Sequence, residues 1–327
     1  MMKRNLFITL VAFSFVFFSC YKEIDLEKYR PEPDLVLNGV ISADTVVMLS
    51  ISRTQFFTDT SRYEVVSDAD VSLTVNSVFR ETMRWTVDES FHGGGVYLSK
   101  YRPQTGDIIR IEAATPNGEV WVEETMPAKV SIEDITFSSR IIYDGKGYMM
   151  DENGNWVEVP KTEITYGITF TDNAMLTNYY YISITNSLPN RGTDNLIFSS
   201  DPVFVDQISV VDGLFGDHTI MGQGGRPFTD HLFNGRRYTL TVKERDASHY
   251  SPGRRITLYA ITESYFNYLT TMQRAADAAN NTNLSSFGFT EPIRIFTNIQ
   301  GGVGIMATSQ QDTVTIDLGD ILKDHKE

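Results

Sequence analysis

Histidines are the first residues to weigh for acid–base or metal chemistry, and this chain has five. His325 lies in a polar tail, while His92, His218, His231 and His249 stand singly in stretches rich in Gly, Asp or Ser. None sits at the H-E-x-x-H or similar close spacing that brings two imidazoles onto one metal. His92-Gly93-Gly94-Gly95 has the form of an oxyanion-hole loop found in some esterases. Those enzymes also carry a Ser nucleophile in a G-x-S-x-G elbow on an α/β sheet. No such elbow is present, so this stretch is expected to be a turn feeding a strand that begins at Gly95.

Two glycine clusters have the composition of phosphate-binding loops, Gly222-Gln223-Gly224-Gly225 and Gly301-Gly302-Val303-Gly304. A dinucleotide fingerprint needs a strand before it and a helix after it. Neither cluster has that setting. The second lies between the strand-like runs Ile293–Asn298 and Val303–Ala307, where glycine admits positive φ or close backbone approach. Asp151-Glu152-Asn153-Gly154-Asn155 is similar to a calcium loop, but its Gly is displaced and Thr162 stands where a bidentate Glu belongs. A hairpin tip is the expectation there, because Asn-Gly tolerates the positive φ of tight turns. No catalytic, metal-binding or cofactor-binding residue emerges, and a non-enzymatic protein without a cofactor is expected. Carboxylate pairs cannot be placed in space from sequence, so glycosidase chemistry stays open, and an unrecognised hydrolase with it.

Cys20 is the sole cysteine, and its position gives it a different chemistry. Lys3 and Arg4 begin the chain with positive charge, Leu6 to Phe18 are apolar apart from Thr9 and Ser14, and Ser19 precedes Cys20. A basic start, an apolar run of this length and a small residue before the junction make residues 1–19 a signal peptide. The run is thirteen residues long, whereas a membrane-spanning helix needs about 20. A Cys after a small residue is the site where diacylglycerol is attached in bacterial lipoproteins, and several acyl chains hold a protein stably on a membrane. Phe17 stands where the commonest lipobox has Leu. The alternative is an ordinary secretory signal with an incidental Cys. With Cys20 lipidated, the mature chain has no disulfide and no thiol nucleophile.

The formal charge of −14 becomes −16 once Lys3 and Arg4 are removed. Such a surface argues against nucleic acid and against docking on anionic head groups. Tyr21 to Asp34 is polar, charged and contains Pro31 and Pro33, so residues 20–34 read as a lipidated tether. From Leu35 onward, short alternating runs are divided by turn residues. Strands are predicted at Leu35–Ile41, Val46–Ile51, Val71–Val75, Glu81–Val87, Gly95–Lys100, Ile108–Ala113 and Val120–Thr125. Seven short strands in about ninety residues suggest an immunoglobulin-like β-sandwich over residues 35–127, with a boundary at Met126-Pro127-Ala128.

Residues 128–327 are predicted to form a larger β-rich domain. Its strands are expected at Ile141–Met150, Trp156–Val159, Ile164–Phe170, Tyr179–Thr185, Tyr238–Lys243, Arg255–Ile261, Ile293–Asn298 and Thr313–Leu318. One helix is predicted near 264–281, where Tyr265, Leu269, Met272, Ala276 and Ala279 share a face and would pack on the sheet. The fold class is therefore mainly β.

Several segments together are similar to one family. They are Cys20-Tyr21-Lys22-Glu23-Ile24-Asp25, Leu35-Val36-Leu37-Asn38-Gly39-Val40-Ile41, Pro103-Gln104-Thr105-Gly106-Asp107 and Thr125-Met126-Pro127. Glu263-Ser264-Tyr265-Phe266-Asn267-Tyr268-Leu269, Glu291-Pro292-Ile293 and the block from Thr297 to Ile305 complete the set. The chain resembles the Bacteroidota lipoproteins catalogued as domain of unknown function 4249. That resemblance implies a location at the outer membrane and a TonB-dependent receptor as partner, with no catalytic residues to carry over. Lys22 and Glu23 after the lipidated Cys resemble the signal that sends such lipoproteins to the cell surface, although Ile24 interrupts the acids before Asp25. Asp44-Thr45-Val46 and Asp312-Thr313-Val314 resemble a short O-glycosylation motif of these bacteria. Three classes of function follow: a receptor accessory that captures or hands over a ligand, an adhesive or structural lipoprotein, and an unrecognised hydrolase.

Overall fold

A computed structural model describes residues 25–60, 64–88, 94–143, 145, 147–187, 196–198, 200–207, 221–222, 225–245, 252–280 and 293–323. Residues 1–19, Cys20, Lys22 and Glu23 lie outside the described residues, as do His92, His218, His249 and His325. The chain divides into two units. In the smaller one, Leu26–Tyr29 forms a 3₁₀ turn, and Arg30 pairs with both Glu27 (2.7 Å) and Asp59 (2.7 Å). Its guanidinium also stands 4.9 Å from the centre of the Phe56 ring.

The larger unit, residues 34–54 and 62–327, is mainly β. In chain order its strands begin with β1 (Leu35–Ser42), β2 (Met48–Arg53), β3 (Asp70–Val75), β4 (Val78–Thr82), β5 (Arg84–Val87) and β6 (Gly95–Leu98). There follow β7 (Ile108–Thr115), β8 (Gly118–Thr125), β9 (Ile132–Ile142), β10 (Tyr148–Met150), β11 (Trp156–Glu158), β12 (Lys161–Thr171) and β13 (Tyr179–Asn186). The last strands are β14 (Leu196–Ile197), β15 (Met221–Gly222), β16 (Gly225–Thr229), β17 (Arg237–Glu244), β18 (Gly253–Ile261) and β19 (Val303–Asp317). Helix α1 (Glu263–Asn280) precedes β19, and the short α2 (Gly319–Lys323) follows it.

Two sandwiches share one sheet. An eight-stranded sheet runs β16-β13-β18-β19-β1-β2-β6-β5. Its β1–β2–β6–β5 end faces the four-stranded sheet β4-β3-β7-β8, burying Leu37, Leu49 and Ile51 against Val71, Leu73, Ile109 and Ile111. Its other end faces the five-stranded sheet β15-β14-β17-β12-β9, where Ile182, Phe228 and Leu258 meet Tyr166, Ile168, Phe170 and Leu240. Along β1, β3, β7, β13 and β17 alternate residues enter a core, as period 2 requires. Each fully buried large aliphatic or aromatic side chain contributes about 1.5–3 kcal/mol.

Strand β19 joins the two halves. Its first part pairs in parallel with β1, from Val36–Val303 to Ser42–Ser309, and its second part pairs antiparallel with β18, from Ile261–Ser309 to Gly253–Asp317. The core of the N-terminal sandwich therefore also holds Ile299 and Met306, from the far end of the chain.

Some predicted elements need correction. The run Glu81–Val87 is two strands in different sheets, β4 and β5. The chain crosses between sheets at Met83, whose side chain is buried between them. Ile293–Asn298 is not a strand. The Phe296 amide donates to the Thr271 hydroxyl of α1 (2.9 Å) and the Asn298 side chain brackets Met306, so helix and loop contacts replace a ladder. The predicted strand Ile141–Met150 is the end of β9, a break, and β10. On α1, Met272 is 41% exposed, whereas Tyr265 is packed inward and Phe266 meets Tyr179 at 5.3 Å. The helix lies on the face of the sheet that carries Tyr179, Tyr181 and Tyr259. Burial there pushes the Tyr265 phenol up to about 12, and the nearby phenols add to the shift.

Candidate functional site

The cluster Gly301–Gly304 has a structural role, while Gln223 and Gly224 of the other cluster lie outside the described residues. A Cβ on Gly302 would overlap the Leu35 carbonyl and stand 2.7 Å from Val120 Cγ1. Gly304, at φ +114°, leaves no room before the Leu37 carbonyl and lies 2.9 Å from Asn38 Oδ1 by the same measure. These residues let β19 slide in beside β1 under β8. Gly95 of the His92–Gly95 stretch packs against the Trp85 ring, and a Cβ would stand 2.6 Å from the Thr86 carbonyl. Asp151–Asn155 is the tip between β10 and β11, with Asp151 Oδ1 accepting the amides of Asn153 (2.9 Å) and Asn155 (2.7 Å). His231 is exposed, its Nδ1 lying 2.8 Å from the Thr229 hydroxyl. Among the described residues no group of three His, Cys, Asp or Glu side chains could hold a metal ion.

Chemistry gathers instead in a cleft of about 490 Å³ where the two sandwiches meet. Glu124, Pro127, Leu176, Asn178, Tyr179 and Glu263 are among its lining residues. Glu124 is there because of strand parity. Val120 and Val122 point from β8 into the first core, and Glu124 continues the same face where that core opens. The Asn298 side-chain amide donates to Glu124 Oε1 at 2.7 Å. Asn298 is fixed in turn by Met306, donating to its carbonyl (2.7 Å) and accepting from its amide (3.1 Å).

Burial raises the Glu124 carboxyl above its ordinary range, outweighing the hydrogen bonds from Ser264 and Asn298. The neighbouring Glu263 charge pushes in the same direction. Burial likewise raises the Tyr179 phenol, and the charge of the Glu263 carboxylate, which accepts a hydrogen bond from the phenol, adds to the shift. The Thr262 hydroxyl is buried beside Glu124, yet it is outside normal hydrogen-bond geometry with any described residue. Glu263 and Ser264 open α1, so two groups of the site are placed by a helix start and two by strand ends.

Two carboxyl groups that feel each other's charge, a phenol and the Asn178 amide line the cleft together with the apolar Pro127 and Leu176. That arrangement can accept hydrogen bonds from hydroxyl or ammonium groups. A signal for it existed in the sequence, because Glu124 breaks the apolar parity of Val120 and Val122. Its partners Glu263 and Asn298 are separated from it by more than a hundred residues and could not be joined to it by spacing.

The family model described as Domain of unknown function (DUF4249) matches residues 21–315. No curated protein matches the chain. Among solved structures, the apo structure of Bacteroides uniformis beta-glucuronidase 3 is similar at 12% identity and a TM-score of 0.20, covering 71% of this chain and 23% of that one. A likeness that slight carries no argument about fold or activity.

Proposed function

The chain belongs to the domain of unknown function 4249 family, and from that premise we propose that it is an exported lipoprotein that captures a small ligand for a TonB-dependent outer-membrane receptor. On this reading a lipid on Cys20 holds the protein on the outer membrane, and Lys22 and Glu23 direct it to the cell surface. The ligand sits in the cleft at Glu124. It carries hydroxyl or ammonium groups that donate to Glu124 and Glu263, and binding needs no chemistry. What supports the capture role is the convergence of Glu124, Glu263 and Tyr179 in one concave site, with burial holding the Glu124 carboxyl in a raised range. The signal-like residues 1–19 and the junction at Cys20 support the anchoring.

Co-purification from detergent-solubilised outer membranes tests the partner, with Cys20→Ala as the unanchored control. A receptor recovered with the parent and absent from the variant is expected. A parent that stays in the soluble fraction with an uncleaved leader would sink the reading. For the cleft, a thermal-shift screen of polyols and small amines should give a ligand that stabilises the parent and not Glu124→Gln.

A second reading, an adhesive lipoprotein, draws on one specific observation. The β10–β11 ribbon carries Tyr148, Met150 and Trp156 on one face and Met149 and Val157 on the other, all exposed. A two-stranded ribbon bare on both faces is marginal by itself, and a protein partner would cover it.

A further inference from the structure

Away from the cleft, the outer face of the five-stranded sheet gathers positive charge on a protein of net charge −14. Glu163 lies on that face of β12 and is only 2% exposed. Three cations surround it. Arg140, across on β9, donates Nε (2.7 Å) and places Nη2 at 2.6 Å from the same carboxylate oxygen. Arg245, just beyond β17, reaches the other oxygen through Nε at 3.4 Å. Lys243, on β17, stands 3.8 Å away, beyond hydrogen-bond distance.

One cation is enough to compensate a buried carboxylate, and Arg140 already does so. The other two are held loosely. Lys243 keeps its three ammonium donors, and Arg245 keeps the terminal donors of its guanidinium. Their side chains are 30% and 33% exposed, and that of Arg140 is 63% exposed. Lys243 and Arg245 are two residues apart on one strand face, a separation of roughly 7 Å, so they repel each other. Among the described residues no second carboxylate lies within ion-pair distance of any of the three cations. Three positive charges against one negative leave two uncompensated. Hydroxyls of Ser138, Thr165 and Thr241 share the same face through the register of β9, β12 and β17.

We propose that Arg140, Lys243 and Arg245 form a binding site for a tetrahedral dianion, a sulfate or phosphate, either free or as a monoester. A dianion brings the cluster to neutrality, and its oxygens suit donors that converge from two strands rather than from one planar fork. Glu163 holds the cations in place and weakens the site by its own charge. This site is separate from the cleft and does not depend on the reading given above.

The test is calorimetric titration of the mature chain with inorganic sulfate, inorganic phosphate and glycerol phosphate. Ionic strength is held constant with chloride, because surface attraction is screened by salt. Saturable binding is expected, with at least a tenfold loss of affinity in Lys243→Gln/Arg245→Gln and an unchanged melting temperature. In Glu163→Gln the affinity should rise several-fold. If that variant fails to fold, the double variant still decides the matter. Binding of the inorganic ions alone identifies a free ion as ligand, and equal binding of glycerol phosphate identifies a monoester. No binding of the parent beyond chloride overturns the proposal, and so does a double variant that binds as well as the parent. Glu124→Gln should leave these titrations unchanged.

Discussion

Replacing Arg254 with Met would remove the most deeply buried cation among the described residues. Arg254 is 1% exposed and Glu244 is 3% exposed. Arg254 donates Nε to Glu244 Oε2 (2.9 Å) and Nη2 to Oε1 (2.8 Å), and the Tyr166 hydroxyl donates to Oε2 at 2.6 Å. The triad ties β18 of one sheet to β17 and β12 of the other. Burial and the Glu244 charge together push the Tyr166 phenol far above its usual range. Met matches the length of the Arg stem, so packing survives, but Glu244 keeps only the Tyr166 bond. An uncompensated buried charge costs about 3–5 kcal/mol. With an unfolding entropy near 2.1 cal/mol/K per residue, a body of about 290 residues has roughly 0.6 kcal/mol/K, so the melting temperature should fall by about 5–8 °C. Differential scanning calorimetry at pH 7 measures this. Adding Glu244→Leu should recover most of the loss, because an apolar replacement of both partners is often neutral. A single variant within 1 °C of the parent, or a double variant no better than the single, would refute the account.

Three further outcomes are expected. Gly302→Val should lower melting temperature and yield by a mechanism costing several kcal/mol, since its Cβ meets backbone at Leu35 and a side chain at Val120. Detectable nucleotide affinity in the parent, with unchanged melting in that variant, would instead favour a phosphate loop. Glu124 has a raised carboxyl in the fold, so its favourable contribution is complete below about pH 4.3 and is lost as pH rises through the folded value. Glu124→Gln should therefore gain stability relative to the parent at pH 8 compared with pH 4, which paired melting curves would read. Replacing Lys22 and Glu23 with Ala should reduce protease shaving of intact cells while membrane attachment persists. Equal shaving would count against a surface signal.

Much of the architecture was legible because strand parity is a local property. Leu35, Leu37 and Ile41, or Val71, Leu73 and Val75, alternate in the sequence and alternate in burial. The helix near 264–281 was equally local, and so was the hairpin tip at Asp151–Asn155, where Asn-Gly and an Asp that caps its own turn suffice. Other features needed partners that no window contains. Whether Glu81–Val87 is one strand or two depends on which sheet each end joins, and Met83 gives no hint of a corner. Ile293–Asn298 alternates like a strand but finds α1 in place of a ladder. β19 completes a sandwich whose other strands end by Thr125, and only the close approach of Gly302 and Gly304 to β1 and β8 allows it.

The sequence by itself determined the mainly β class, most strands, the helix, and Cys20 as the one candidate for lipid attachment, because each rests on residues near one another in the chain. Tertiary structure alone decided that Glu124 faces Glu263, that Arg140 and Arg245 enclose Glu163, and that one sheet serves both cores. Those are contacts between residues far apart in sequence, fixed by register between strands, and alternation along a strand carries no information about which neighbour it will pair with.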